Sequence, residues 1–164
     1  MEAESPSPPQ SRRIGTIAAV AVAVVAVDQL SKWWAVRRLP RGEIHVVSSL
    51  HLNLAFNTGT AFSLGSGKGL GPWISVLAFA VVAVLLASAS TARHTVGAVA
   101  AGLVAGGAIG NVADRAFRGH AGFLHGAVVD FIDLRWWPIF NLADSAIVVG
   151  TILFALATLR TPPS

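Results

Sequence analysis

Long apolar runs dominate the pattern of hydrophobic and polar positions along this chain. The first covers residues 14–36 and is interrupted only by the polar stretch "DQLSK". At the helical rise of about 1.5 Å per residue it is about 34 Å long, enough for one membrane crossing. Three further runs of spanning length cover 72–89, 95–112 and 140–159. The pattern therefore predicts an all-α membrane protein with four transmembrane helices.

A shorter stretch alternates strictly between apolar and polar positions. In "LHLNLAFN", residues 50–57, leucine or phenylalanine occupies every second position. This period of two is typical of a β-strand with one apolar face. The Gly- and Ser-rich stretch that follows favours turns, so we expect a small sheet on the membrane surface.

Composition supports a membrane protein, because 54% of the 164 residues are hydrophobic and only 12% are charged. The net charge of +4 is spread over loops without a basic stripe. We therefore expect attraction to lipid headgroups and no nucleic-acid binding. Cysteine is absent, which excludes thiolate catalysis and cysteine metal sites. Arg12 and Arg13 before the first run also fit a cleaved signal peptide, but that run continues into Trp33 and Trp34, which suit a membrane interface.

The ends of the chain differ from its middle. Residues 1–11 are rich in Pro, Ser and Glu and predict a disordered tail. We expect a single membrane domain over 12–160 and a short C-terminal tail over 161–164.

Polar residues concentrate on one side of the predicted bundle. The stretch "STARH" joins the second and third helices as a tight hairpin, so the long connections 37–71 and 113–139 share the opposite side. That side holds six of the eight acids and eight of the twelve lysines and arginines. Since acids and bases are interleaved, the charge bias leaves the orientation open.

Small residues recur every fourth position in the third helix. Ala98, Gly102, Gly106 and Gly110 form a smooth ridge along one side. Such a ridge lets a neighbouring membrane helix approach closely, so it predicts helix packing rather than a site.

Several acids have a simple structural interpretation. Asp28 and Lys32 are four residues apart, which favours an intrahelical ion pair near the membrane surface. Asp114 is adjacent to Arg115 and is placed to cap or pin the end of its helix. Asp133 lies two residues before an arginine, and we interpret it as a solvated charge in a loop.

Asp130 and Asp144 are different, because neither has an adjacent base; Asp130 lies between Val129 and Phe131, and Asp144 between Ala143 and Ser145. Acids at a membrane boundary are costly to keep charged and are functional candidates. Two helix ends on this side each offer an Asn and an Asp three residues apart, at Asn111 with Asp114 and at Asn141 with Asp144. Two carboxylates sharing a proton could hydrolyse a peptide bond, whereas acids in membranes also relay protons or bind cations in transporters.

Five blocks of the sequence follow one another in a characteristic order. They are "DQLSK" (28–32), "NTGTAF" (57–62), "GGAIGNVADR" (106–115), "VVDFID" (128–133) and "FNLADS" (140–145). In this order they resemble the blocks of bacterial lipoprotein signal peptidase, also called signal peptidase II. The resemblance covers all but the N-terminal tail and the last few residues.

This resemblance implies four transmembrane helices in the bacterial cytoplasmic membrane, with both termini cytoplasmic and a small extracytoplasmic β-sheet. It implies an aspartyl endopeptidase without metal or cofactor, with its active site near the extracytoplasmic face. The substrate would be a prolipoprotein that carries a diacylglyceryl group on its lipobox cysteine and is cut immediately before that cysteine. The expected partners are this substrate and membrane lipids, and we expect a monomer.

The resemblance also assigns residues. By position, Asp130 and Asp144 match the catalytic pair of the family. The stretch 116–127 is longer than in the family's compact form. The remaining matches are polar residues that line the site, Asn57, Asn111, Arg115 and Asn141, and supporting residues, Asp28, Lys32 and Asp114.

The alternative function is a small proton-coupled transporter that uses the same acids. A transporter needs polar residues across the whole membrane, but 14–27 and 146–159 contain no ionisable residue. A non-catalytic scaffold is a further alternative, and it leaves the paired Asn and Asp residues unexplained.

Overall fold

A computed structural model describes residues 10–58, 95–119 and 124–159. These ranges contain three long helices, α1 (Gln10–Arg38), α2 (Thr95–Phe117) and α3 (Leu142–Leu159), and one small sheet. The predicted span over 72–89 and its hairpin lie outside the described residues, as do residues 1–9 and 160–164.

Helix α1 is longer than its apolar run. Residues 10 and 11 are helical, so the prediction that the tail reaches residue 11 is wrong by two positions. A 3₁₀ helix, Leu39–Arg41, follows α1, and its Pro40 cannot continue the α-helical hydrogen bonds. By length and composition, the stretches Gln10–Arg41 and Thr95–Phe117 are able to cross a membrane, whereas the apolar part of α3, Leu142–Ala157, is shorter.

The small residues of α2 let this helix pack between α1 and α3. A Cβ atom on Gly102 would lie 2.6 Å from the Cβ of Val20 in α1, and one on Gly106 would lie 2.7 Å from the Cβ of Val24. The predicted close approach at the ridge is therefore confirmed. On the other side, a Cβ on Gly107 would collide with the carbonyl oxygen of Ala143 in α3.

The sheet has three antiparallel strands, β1 (Ile44–Val47), β2 (Leu50–Asn57) and β3 (Val128–Asp133), in that spatial order. The predicted strand over 50–57 is confirmed as β2, while β1 and β3 were not predicted. Leu52 pairs with Ile132 and Ala55 with Asp130, with a bulge between these pairs.

The apolar face predicted for β2 is only partly covered. Leu52 and Leu54 pack on a small core, but Phe56 is 58% exposed. Phe56 lies at the end of the strand, beyond the bulge. The core on which the two leucines pack consists of Ala35, Leu39 and Phe131.

Candidate active site

Asp130 and Asp144, called the acid pair below, come from two elements joined by a short turn. Asp130 lies within β3, and Asp144 lies in the first turn of α3. Between them the chain folds back on itself, because Phe140 donates its N–H to the carbonyl of Ile132 at 3.1 Å and accepts the N–H of Ile132 at 2.8 Å. These two bonds place the start of α3 next to β3.

Asn141 connects both members of the acid pair. Its side-chain Nδ2 donates to Asp130 Oδ1 at 2.7 Å. Its Oδ1 accepts the N–H of Asp144 at 2.9 Å, and its own N–H donates to Asp144 Oδ2 at 3.1 Å. These reciprocal bonds form a capping box at the start of α3. Because Asn141 is fully buried, it holds the two carboxylates in a fixed relation.

Asn111 of α2 binds the acid pair from the other side. Its Nδ2 donates to Asp144 Oδ1 at 2.8 Å. Its Oδ1 accepts from Lys32 Nζ at 2.9 Å and from Asn141 Nδ2 at 3.1 Å. Two donors on Oδ1 fix which way the amide faces, so Nδ2 must point at Asp144.

The environment of Asp130 favours a bound proton. Its side chain is nearly inaccessible, with the residue 4% exposed. Burial, and second to it the negative charge of Asp144, raise the pKa of Asp130 to about 6, although hydrogen bonds from Asn141 and Asn57 oppose the shift. A carboxyl group with this pKa exchanges its proton near neutral pH.

Arg115 lies among the carboxylates at the end of α2. The residue is 8% exposed, and its charge interacts with those of Asp130, Asp114 and Asp144. The helix continues to Phe117, beyond the predicted run 95–112, so Asn111, Asp114 and Arg115 lie on one continuous helix.

A second group of charges, called the lysine cluster below, consists of Asp28, Lys32 and Asp114. Lys32 Nζ lies 2.8 Å from Asp28 Oδ2 and 3.0 Å from Asp114 Oδ2. The intrahelical pair of Asp28 and Lys32 is confirmed, and all three residues of the cluster are fully buried. Asp114 is further neutralised by Arg118, whose Nε lies 2.6 Å from its Oδ1.

The lysine cluster fixes the backbone that carries the acid pair. Asp28 Oδ1 accepts the N–H of Ala143 at 3.0 Å, at the start of α3. Asp114 Oδ2 accepts the N–H of Val129 at 3.1 Å, one residue before Asp130. Each member of the acid pair is therefore adjacent to a backbone group held by the lysine cluster. This arrangement favours the role that the resemblance assigns to the cluster residues, which is to support the site.

Comparison with known proteins identifies the family of this chain. The family model described as signal peptidase (SPase) II matches residues 20–160. The chain belongs to the signal peptidase II family. A protein named lipoprotein signal peptidase from Syntrophomonas wolfei is 41% identical over 138 residues, covering 83% of this chain and 87% of the relative. The protein of the same name from Rhodococcus jostii is 38% identical over 157 residues, covering 94% and 77%.

Two solved structures are also similar. Both are described as bacterial membrane enzymes, with TM-scores of 0.72 and 0.70 and identities of 30% and 28%. They cover 90% and 92% of this chain, and each is itself covered to 94%. These comparisons give no support to the transporter alternative.

Gln29 belongs to the site of this signal peptidase II family member, although the sequence did not predict it. Its Nε2 donates to Asp28 Oδ2 at 3.1 Å, to the carbonyl of Gly110 at 3.0 Å and to Asp114 Oδ1 at 3.2 Å. The only sequence signal is its place inside the polar break "DQLSK" of an apolar run. Arg118 was missed as well, although its four-residue spacing from Asp114 indicates a helical ion pair.

The interpretation of Asp133 as a solvated loop charge is wrong. It is the last residue of β3, and its side chain is 8% exposed. The backbone N–H of Arg135 donates to its Oδ1 at 2.7 Å, and this bond is the main reason why the pKa of Asp133 lies below its usual value. Asp133 pairs across the sheet with His51, away from the acid pair.

An apolar groove of about 430 Å³ opens beside Asp144. The stretch after β3 forms one wall and the first turns of α3 form the other. Trp136 and Trp137 are 71% and 59% exposed. The groove was not predicted, although a Trp pair near the membrane boundary is a signal for it. Its lining residues are Leu134, Trp136, Trp137, Phe140, Asp144, Ser145, Val148 and Val149.

No group of three His, Asp or Glu side chains is arranged to hold a metal ion in the part of the chain that the structure describes.

Proposed function

We propose that this protein is an aspartic endopeptidase that removes the signal peptide from diacylglyceryl-modified prolipoproteins, cutting before the lipidated cysteine. The observation that carries the proposal is the acid pair joined through Asn141, in a chain of the signal peptidase II family. Asp130 and Asp144 are the catalytic residues. Asn57, Asn111, Arg115 and Asn141 orient them, and Asp28, Lys32 and Asp114 support the site.

The chemistry follows from one proton shared by the pair. Asp144 takes a proton from a water molecule, and the water oxygen attacks the scissile carbonyl carbon while Asp130 donates its proton to the carbonyl oxygen. The tetrahedral intermediate then collapses. The C–N bond breaks, the nitrogen takes the proton held by Asp144, and the proton of the hydroxyl returns to Asp130, which restores the starting state.

The amides around the pair suit this chemistry better than bases would. Asn111 and Asn141 fix the positions of the carboxylates by donating hydrogen bonds, yet they supply no full positive charge. A lysine bonded directly to either carboxyl group would favour its ionised form and oppose the donation of a proton.

The apolar groove supports a lipidated substrate. It is apolar along both walls and opens next to Asp144, so a substrate with acyl chains or an apolar peptide segment can lie against the catalytic group. Exposed Trp33, Trp34, Trp136 and Trp137 suit the interface between lipid and water. These features support an active site at the membrane boundary.

For topology, we propose four spans, with the region 72–89 supplying one, both termini in the cytoplasm and the sheet outside. The protein acts as a monomer. Because the chain has no cysteine, single cysteines at positions 66 and 93 can be labelled with an impermeant reagent in intact cells. Labelling is expected at 66 and not at 93, and the reverse pattern would overturn this orientation.

The function is tested with purified enzyme and two forms of one prolipoprotein, with and without the diacylglyceryl group. Mass spectrometry is expected to detect loss of the signal peptide from the lipidated form only. The Asp144→Asn variant serves as the control for contaminating proteases. Equal cleavage of both forms would refute the proposed substrate class, and no cleavage of either form would refute the function.

A further inference from the structure

Arg135 holds an unusual position between the sheet and the groove. It follows β3 directly and precedes Trp136 and Trp137, which line the groove. Its backbone has φ of 68°, in the left-handed region that residues with a Cβ adopt only at a cost. A non-glycine residue keeps this conformation when its surroundings determine it.

The side chain of Arg135 supplies such surroundings. One terminal nitrogen, Nη2, lies 2.5 Å from Glu43 Oε2 and 2.9 Å from His51 Nδ1. Glu43 precedes β1, and His51 lies in β2. Arg135 with Glu43 and His51 is called the arginine latch below, and it ties the start of the Trp-bearing loop to two other parts of the sheet.

The latch lies at the surface and outside the packed core. The side chains of Arg135 and Glu43 are 44% and 46% exposed, so solvent weakens their ion pair. The helices pack without these residues, and loss of the latch is therefore expected to affect the loop more than the fold.

We propose that Arg135 is a positioning residue for substrate binding, which acts by holding Trp136 and Trp137 as the wall of the groove beside Asp144. This inference rests on the proposed function, because the groove matters only if a substrate lies in it. Arg135 contacts neither member of the acid pair in any bond of the latch. Its loss should therefore change the binding of substrate and leave the chemical step intact.

The test uses Arg135→Gly, because glycine adopts a φ of 68° freely and the variant removes the latch without straining the backbone. We expect KM for the lipidated prolipoprotein to rise about fivefold, equal to about 1 kcal/mol, with kcat within about twofold of wild type. Glu43→Ala should raise KM similarly, and the double variant should be no worse than either single variant. Arg41→Gly, which removes an exposed arginine before β1, is the matched control and should leave KM unchanged.

Hydrogen exchange gives a readout that does not need activity. Residues 134–139 should exchange faster in Arg135→Gly than in wild type, with no change in α2 or α3. Arg135→Lys should restore part of both effects. Unchanged KM and exchange would overturn the proposal, as would a fall in kcat with faster exchange throughout the helices, which marks a structural role. If wild type cleaves nothing, the proposed function fails, and exchange alone decides whether the latch holds the loop.

Discussion

The lysine cluster and the acid pair lie next to each other at the same end of the helices, yet their carboxylates have different partners. Asp28 and Asp114 are fully buried and bonded directly to Lys32, and Asp114 is also bonded to Arg118. The acid pair receives its hydrogen bonds from amides and backbone N–H groups instead.

Because of this difference, the lysine cluster has a structural role and the acid pair a chemical one. A buried carboxylate bonded directly to a base acts as a fixed strut between elements. A buried carboxyl group held by hydrogen bonds from amides is equally fixed in position, and the raised pKa of Asp130 indicates an exchangeable proton even though Arg115 lies nearby. Lys32 connects the two regions, because it also donates to Asn111, the amide that binds Asp144.

The largest expected effect is on catalysis, at the acid pair. Asp130→Asn and Asp144→Asn should each lower kcat by about 10²–10⁴-fold, because the amide keeps the shape of the side chain but cannot exchange a proton. Both variants should still accumulate in the membrane. The measurement is cleavage of lipidated prolipoprotein by equal amounts of purified protein. Near-normal turnover by the Asp144 variant would exclude the pair as the catalytic group.

The second effect is on stability, at the lysine cluster. Lys32→Met should destabilise the fold by about 3–5 kcal/mol, because it leaves two buried carboxylates without their shared ammonium group. Thermal unfolding in detergent measures this loss. Arg38→Met, an exposed change on the same helix, is the matched control. Equal melting temperatures for the two variants would show that the cluster is not a strut.

The opposite sign is expected when a member of the acid pair is neutralised. The folded state raises the pKa of Asp130 from 3.8 to about 6, so it binds the proton more tightly than the unfolded state. The contribution of Asp130 to the stability of the wild type therefore falls as pH rises from about 4 to 6. Asp130→Asn removes this cost and should be more stable than wild type at pH 7, by at most about 3 kcal/mol.

The check on this prediction is a pair of unfolding series from about pH 3 to 7. The advantage of Asp130→Asn should vanish only below the unfolded-state pKa of 3.8, towards about pH 3, where the wild-type carboxyl group is protonated in both states. Parallel curves for the two proteins would contradict the assignment of the raised pKa to Asp130.

The smallest effect is expected at Asp133, an acid that belongs to neither group. In Asp133→Asn the amide oxygen still accepts the N–H of Arg135, so we expect kcat within about twofold of wild type and a stability loss under about 1 kcal/mol. The same cleavage and unfolding assays measure both. A loss of kcat comparable with that of Asp144→Asn would remove the distinction between these acids.

The sequence predicted those features that depend on local periodicity. The bounds of β2 follow from its strict alternation of apolar and polar residues. The packing of α2 against α1 follows from the small residues at every fourth position of α2. Asp130 and Asp144 were identifiable because neither has a base beside it in the sequence.

Features that depend on distant partners were not predictable in this way. Asp28 bonds the N–H of Ala143, which is 115 positions away, and nothing in either segment indicates the other. Strand β3 was missed because burial makes nearly all of its residues alike, without alternation. The burial of the Asp28 and Lys32 pair was missed for the same reason, since Asp114 and Asn111 approach it from another helix.

The pH dependence of kcat/KM for wild-type enzyme, measured with and without EDTA, tests the shared proton most directly. We predict a bell-shaped profile, because activity needs one carboxylate and one carboxylic acid. The two apparent pKa values of this profile belong to the pair and not to either residue alone. The descending limb should have its midpoint near pH 6, where the free enzyme loses the last proton of the pair. EDTA should change nothing. Loss of activity on chelation that added zinc restores, or a flat profile between about pH 5 and 8, would contradict the account.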